Sequence, residues 1–290
     1  MAELTKIEHL ADFPKRLLQL CTVSSRIESF LEDLNVEPVK ALPVKFDLGG
    51  ARRTGVFHAS SVGTFSGKSL CEKYKMGCAR LLYYDFTGAP GERALDTRLR
   101  RIFDTGSAIH GQLQAYLEKI AELSDGEFTF IPEVDVNPDD NEVADQMDMS
   151  GHTDGDSIAI AKDDKVRFLT EIKSINAAGY EKTSGPHPEH KVQATIYQRC
   201  LDVPVMVFLY YSKNDSNMAE FVHTYDERIW DAIVRKLDFV RECAMDEQPP
   251  DREDGWHCSN CKYKKICKPP RRGRGARKAT TVSAFRSKGK

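Results

Sequence analysis

The chain has 290 residues, 40% of them hydrophobic and 30% charged, with a formal net charge of -2. That is enough for one large domain, or a domain with a small appendage, around a substantial core, and no apolar run approaches the ~20 residues needed to cross a bilayer. Met1-Ala2-Glu3-Leu4-Thr5 lacks a basic region followed by an apolar stretch, so no secretory signal is read and a cytoplasmic protein without membrane contact is expected. In chain order, residues 4–34 carry helical periodicity through Leu10, Phe13, Leu17, Leu18 and Leu20, then Ile27, Phe30, Leu31 and Leu34. Residues 35–60 are punctuated by Pro and Gly and read as a loop or extended arm. From Ser61 a second helical stretch is expected through Tyr74 and Cys78 into residues 79–85, and a third over 104–123, with Ile109, Leu113, Tyr116, Leu117 and Ile120 on one face.

A strand follows at Phe128–Val136, then a hairpin. Its first strand is read at 156–161, its polar turn at 162–165 and its second strand at 166–173. A helix over 188–201, a buried strand over 203–211 and a helix capped by Asp226 and running to about Cys243 complete the pattern. Helix and strand alternate around one sheet, so the class is α/β, and no internal repeat is present.

The hairpin carries the chemistry. Asp154, in Gly151-His152-Thr153-Asp154-Gly155, precedes the first strand, and Glu171-Ile172-Lys173 ends the second. Hairpin pairing brings these ends together, and residues two apart on a strand share a face, so Glu171 and Lys173 point the same way. Two carboxylates there suit a hard divalent cation, with the lysine beside a water that attacks phosphorus. In Gly106-Ser107-Ala108-Ile109-His110, read as opening the third helix, His110 can add a nitrogen ligand. Gln193 and Tyr197 lie one turn apart on a later helix, where they can hold a phosphate or orient Lys173.

Eight cysteines in a chain of this kind argue against a disulfide framework. Cys21, Cys200 and Cys243 lie among apolar residues and read as buried small hydrophobes. Cys258, Cys261 and Cys267 form C-x2-C-x5-C, the spacing of a metal centre, which needs a fourth ligand. Cys78 is the first choice, ahead of Cys71 and His257. Beyond Asp254 there is no acidic residue, and residues 262–290 hold twelve Lys or Arg. Segment 268–290 therefore reads as a disordered basic tail attracted to a polyanion.

Taken in order, Cys78 with the Arg-Leu-Leu-Tyr-Tyr after it, Gly-x3-His, Gly-x2-Asp-Gly, Glu-x-Lys, Gln-x3-Tyr and the terminal cysteines resemble the RecB-type branch of the PD-(D/E)XK nucleases. The resemblance covers roughly residues 60 to 268. It is strongest to members with a four-cysteine iron–sulfur cluster, such as the AddB nuclease domain and CRISPR-associated RecB-like exonucleases.

It implies a restriction-endonuclease-like core over 61–268, preceded by an N-terminal helical and extended region (1–60) and followed by the basic tail (269–290). It further implies a Mg²⁺ or Mn²⁺ site of His110, Asp154, Glu171 and the Ile172 carbonyl. Lys173, Gln193 and Tyr197 join the two carboxylates in catalysis. A largely structural [4Fe-4S] cluster would sit on Cys78, Cys258, Cys261 and Cys267, with Zn²⁺ as the alternative. Thr153 stands where the family's name has Pro, and Glu133, on the strand before the hairpin, is placed toward the metal.

The activity implied is DNA hydrolysis, as an exonuclease on ends or single strands in repair, recombination, or phage or CRISPR DNA processing, with a helicase, recombination or CRISPR protein as partner. Two other readings remain at this stage. One is a catalytically inert nucleic-acid-binding accessory protein with a zinc-binding C-terminus. The other is a thiol-redox protein using Cys258 and Cys261, for which no thioredoxin-like context is present.

Overall fold

A computed structural model describes residues 15–33, 39–40, 53–63, 77–91, 97–253, 255–259 and 261–267. Cys71, the side chain of His257, the basic tail from 268 and most of the expected arm at 35–60 lie outside the described residues. A 3-10 turn at Lys15–Leu20 leads into α1 (Ser24–Glu32), β1 (Phe57–His58), α2 (Ala59–Val62), α3 (Ala79–Phe86) and α4 (Thr97–Leu123). There follow β2 (Phe128–Val136), α5 (Glu142–Gln146), β3 (Met149–Ala161), β4 (Asp164–Ile175), α6 (Ala177–Tyr180) and α7 (Pro188–Leu201). The chain continues through β5 (Val205–Ser212), β6 (Met218–Thr224) and α8 (Glu227–Met245) to a 3-10 turn at Trp256–Ser259.

The described strands make one mixed sheet in the order β1-β3-β4-β5-β6, with β2 also on β3. β2, β3 and β4 pair antiparallel, β4 and β5 pair parallel through the α6–α7 crossover, and β5 and β6 pair antiparallel. The period-2 alternation of a strand sorts side chains to two cores. Val205, Val207 and Leu209 of β5 pack with Phe168 and Ile172 of β4 against α1 and α4. Met206, Phe208 and Tyr210 face the other way, toward α3, α7 and α8. The α/β class, with a central mixed sheet flanked by helices, is the one expected.

Several local expectations change. The N-terminal helical pattern breaks at residues 21–23, where the carboxylate of Glu220 on β6 accepts the backbone N–H groups of Val23 (2.7 Å) and Ser24 (2.8 Å) and so caps α1. The stretch from Ser61 is not one helix: α2 ends at Val62, and Cys78 is the extended N-cap of α3. α4 begins at Thr97, so His110 lies near its middle and does not open it. The segment before Gly106, with Leu99 and three arginines (Arg98, Arg100, Arg101), has good helix propensity, and one glycine costs a helix only about 1 kcal/mol. β3 also starts earlier than expected, at Met149, and the hairpin turn shrinks to Lys162 and Asp163, with Lys162 at a φ of 55°. Asp154 is thus inside a strand. The Gly151–Gly155 segment lacks the usual strand signature, and its pairing to β2 supplies the ladder that composition does not.

Candidate active site and cysteine pocket

The site forms where β3 and β4 part. Their ladder runs from Ala161↔Asp164 to Gly155↔Thr170, and Asp154 and Glu171 are the next residues beyond its last pair. Here a side chain replaces the missing ladder partner: Asp154 Oδ2 accepts the N–H of Ile172 at 2.6 Å. Asp154 Oδ1 lies 3.1 Å from His110 Nδ1, brought in by α4. One turn along the same helix, Gln114 donates to the Asp154 carbonyl (2.9 Å) and to Glu133 Oε1 (2.7 Å). Glu133 lies across from Asp154 on β2 with a left-handed φ of 54°, and its Oε2 is 3.3 Å from His152 Nε2. Asp156, the second acid of the Asp-x-Asp pair, is tied to Arg167, which takes it out of the site.

On the other side a polar row runs from strand to helix. Lys173 Nζ donates to Glu171 Oε1 (2.6 Å) and Gln193 Oε1 (3.1 Å), and Gln193 Nε2 donates to Tyr197 OH (3.2 Å). The helical spacing of Gln193 and Tyr197 predicts this shared face. A Cβ on Gly151 would stand 2.7 Å from the Tyr197 hydroxyl, so the glycine makes room for the end of the row. Glu171 is only 4% exposed, and its Oε2 has no hydrogen-bond partner among the described residues.

The charges are mutually dependent. Burial raises the Glu171 carboxyl to about 7, with Lys173 opposing the rise and Asp154 adding to it. Burial pushes Asp154 upward as well, but His110, Lys173 and the Ile172 N–H outweigh it and hold the carboxyl below its ordinary value. Burial alone would lower His110; the charge and hydrogen bond of Asp154 reverse that and favour the imidazolium. His190 of α7, beside Tyr210, is driven by burial to about 2 and stays neutral.

His110 and Asp154 therefore meet directly, Asp154 meets the Ile172 N–H and not its carbonyl, and Glu171 bonds to Lys173. The ligand atoms of His110, Asp154 and Glu171 do not all lie within 4.8 Å of one another, and Glu171 Oε1 is bonded to the Lys173 ammonium. Gln114, His152, His187 and His190 escaped the sequence reading. The i, i+4 spacing of His110 and Gln114, and the 190–193–197 stripe on α7, carried the signal for two of them.

The cysteines gather elsewhere. Cys78, Cys258, Cys261 and Cys267 line one pocket beside Tyr84 and Tyr263, and all are free thiols. The C-terminal segment is held on α3 by Tyr263 OH to Asp85 (2.7 Å), a Lys262–Asp85 ion pair and Arg80 to the Pro250 carbonyl (2.8 Å). Burial raises the Cys78 thiol to about 11 and also raises Cys261. Cys21 and Cys200 are buried as expected, whereas Cys243 is partly exposed.

No protein-family model and no curated protein matches the sequence. Among solved structures, SSO0001 aligns at 15% identity and a TM-score of 0.43, over 84% of this chain and 94% of its own. An alkaline exonuclease (LHK-Exo) from Laribacter hongkongensis aligns at 17% identity and 0.43, over 67% and 90%. Its complex with dAMP aligns at 16% and 0.44, over 67% and 89%. Among the described residues, no helix is long and apolar enough to cross a membrane.

Proposed function

We propose that this protein is a metal-dependent DNA nuclease, acting as an exonuclease on DNA ends or single strands. The observation that carries the reading is the placement, where β3 and β4 part, of a His110–Asp154 pair and a Glu171–Lys173 pair, with Asp154 also bonded to the Ile172 N–H between the latter two. An uncharged fold would gain nothing from these groups: two buried carboxylates beside one another cost solvation free energy unless a cation is shared between them.

The donor set fits a hard divalent ion. Asp154 and Glu171 would hold Mg²⁺ or Mn²⁺ with His110, and the unpartnered Glu171 Oε2 is the oxygen free to turn toward it. Such an ion supplies neutralisation of a phosphate oxygen and a more acidic water. Lys173 uses two of its three N–H donors on Glu171 and Gln193, which leaves one for a substrate oxygen or the attacking water. Gln193, braced by Tyr197, fixes the direction of that third donor. Gln114 holds Glu133 and the Asp154 backbone in register, so the strained Glu133 backbone is retained at the site.

The cysteine pocket is lined by four thiols, the number that a [4Fe-4S] cluster takes, and that cluster is the group proposed for it, with Zn²⁺ as the alternative. The group would fasten the C-terminal segment to α3, a structural role typical of the RecB-type branch.

The test is digestion of end-labelled linear and circular DNA, single- and double-stranded, by the full chain with Mg²⁺ or Mn²⁺. Degradation of linear substrate is expected, and Asp154→Ala and Lys173→Ala should each lose at least about 100-fold in rate while still binding DNA. Either variant cutting at the parent rate overturns the assignment.

A further inference from the structure

Among the described residues, one set of three potential metal-binding side chains has its ligand atoms all within 4.8 Å of one another: His187, Glu189 and His190. They occupy the first turn of α7, with Pro188 as the first helical residue between them. Proline there presets the backbone and holds the N-cap residue in place.

We propose that His187, Glu189 and His190 form a binding site for a divalent transition-metal ion such as Zn²⁺, separate from the Asp154–Glu171 centre.

The surrounding hydrogen bonds already orient the rings. Thr183 Oγ1 donates to the Gly179 carbonyl (2.9 Å), so it accepts from His187 Nε2 at 3.4 Å. That leaves the His187 Nδ1 lone pair free, 3.7 Å from Glu189 Oε1. The Tyr210 oxygen accepts the His187 backbone N–H at 3.0 Å and lies 2.7 Å from His190 Nδ1. With the His190 proton on Nδ1, Nε2 is free for an ion. The two rings lie nearly parallel, with an interplanar angle of 7° and centroids 5.2 Å apart, so their edges can serve one centre. Each of the two histidines thus has an outer partner of the kind that fixes metal-bound histidines.

The chemistry also selects the metal. Two imidazoles and one carboxylate suit zinc and its neighbours, whereas Mg²⁺ keeps its water and prefers oxygen. The N-terminus of α7 and the ammonium of Lys173, close enough to His190 to act on it electrostatically, both repel a cation. Only an ion that forms strong bonds to nitrogen overcomes that repulsion. Partial exposure of all three residues leaves a path for the ion and open coordination positions.

The test is titration of the EDTA-dialysed full chain with Co²⁺ and Zn²⁺, followed by visible absorption and calorimetry. Cobalt held by nitrogen and oxygen shows d–d bands without the sulfur charge-transfer absorption that thiolates would add. Because cobalt can also enter the Asp154–Glu171 centre, the variants are compared in the Asp154→Ala background, which should bind one such ion. His187→Ala/His190→Ala should lose it, and Glu189→Gln, a milder change at a half-exposed position, should weaken it by at least about tenfold. Mg²⁺ at the same concentration should leave the cobalt bands in place. Absence of a nitrogen–oxygen cobalt band in Asp154→Ala, or its persistence when His187→Ala/His190→Ala is added to that variant, overturns the proposal. The readout is metal binding, so it stands apart from whether the protein cleaves DNA.

Discussion

Glu171→Gln should stabilise the metal-free protein at alkaline pH. The carboxyl is buried, one oxygen has no hydrogen-bond partner, and burial with the nearby Asp154 raises it from 4.5 to about 7 against the pull of Lys173. Between pH 4.5 and 7 the folded chain holds a proton that the unfolded chain has released, so stability falls as pH rises through this window. The loss is complete above pH 7 and absent below 4.5. At ~1.4 kcal/mol per pH unit it amounts to about 3 kcal/mol at most. Glutamine cannot ionise and still accepts from Lys173. At pH 8 the variant should therefore melt roughly 5–10 °C above the parent, and at pH 5 the gap should close. Differential scanning calorimetry after chelation of free divalent ions reads both. Added Mn²⁺ should narrow the difference at pH 8, because the cation stabilises only the carboxylate. A variant that melts with the parent at pH 8 refutes the account of Glu171 as a carboxylate destabilised by burial.

Gly151→Ala places a Cβ against Tyr197 without touching a charge. It should destabilise the fold by about 1–3 kcal/mol and slow cleavage by about tenfold or more, since the Tyr197–Gln193–Lys173 row must shift; Gly185→Ala, with nothing within 4 Å, is the matched control. Unchanged melting and rate in Gly151→Ala would remove the row from the mechanism. Cys78→Ser should lose the brown colour and broad visible absorption of an anaerobically purified cluster protein and expose the C-terminal segment to proteolysis, whereas Cys243→Ser should leave both unchanged. A colourless parent protein, or a coloured Cys78→Ser, counts against the four-cysteine cluster.

Some of this was legible without coordinates because it is local. The i, i+2 relation of Glu171 and Lys173, the one-turn spacing of Gln193 and Tyr197, the Asp226 cap of α8 and the hydrophobic alternation of β5 follow from the periods of helix and strand. The hairpin could be read from its turn, although not the true length of β3, since Gly151–Gly155 owes its strand form to β2. Cys78 could be named as first choice for the fourth ligand, ahead of Cys71 and His257, and the pocket lined by all four thiols appears only when the C-terminal segment folds back on α3.

The sequence by itself determined which groups the chain has to offer and which neighbours along the chain share a face. Tertiary structure decided the protonation-sensitive contacts: that Asp154 turns to His110 and the Ile172 N–H, and that Glu171 is buried beside them with Lys173. Periodicity describes one strand or one helix at a time. Desolvation and charge at a site depend on what arrives from the other elements, and no local pattern encodes that.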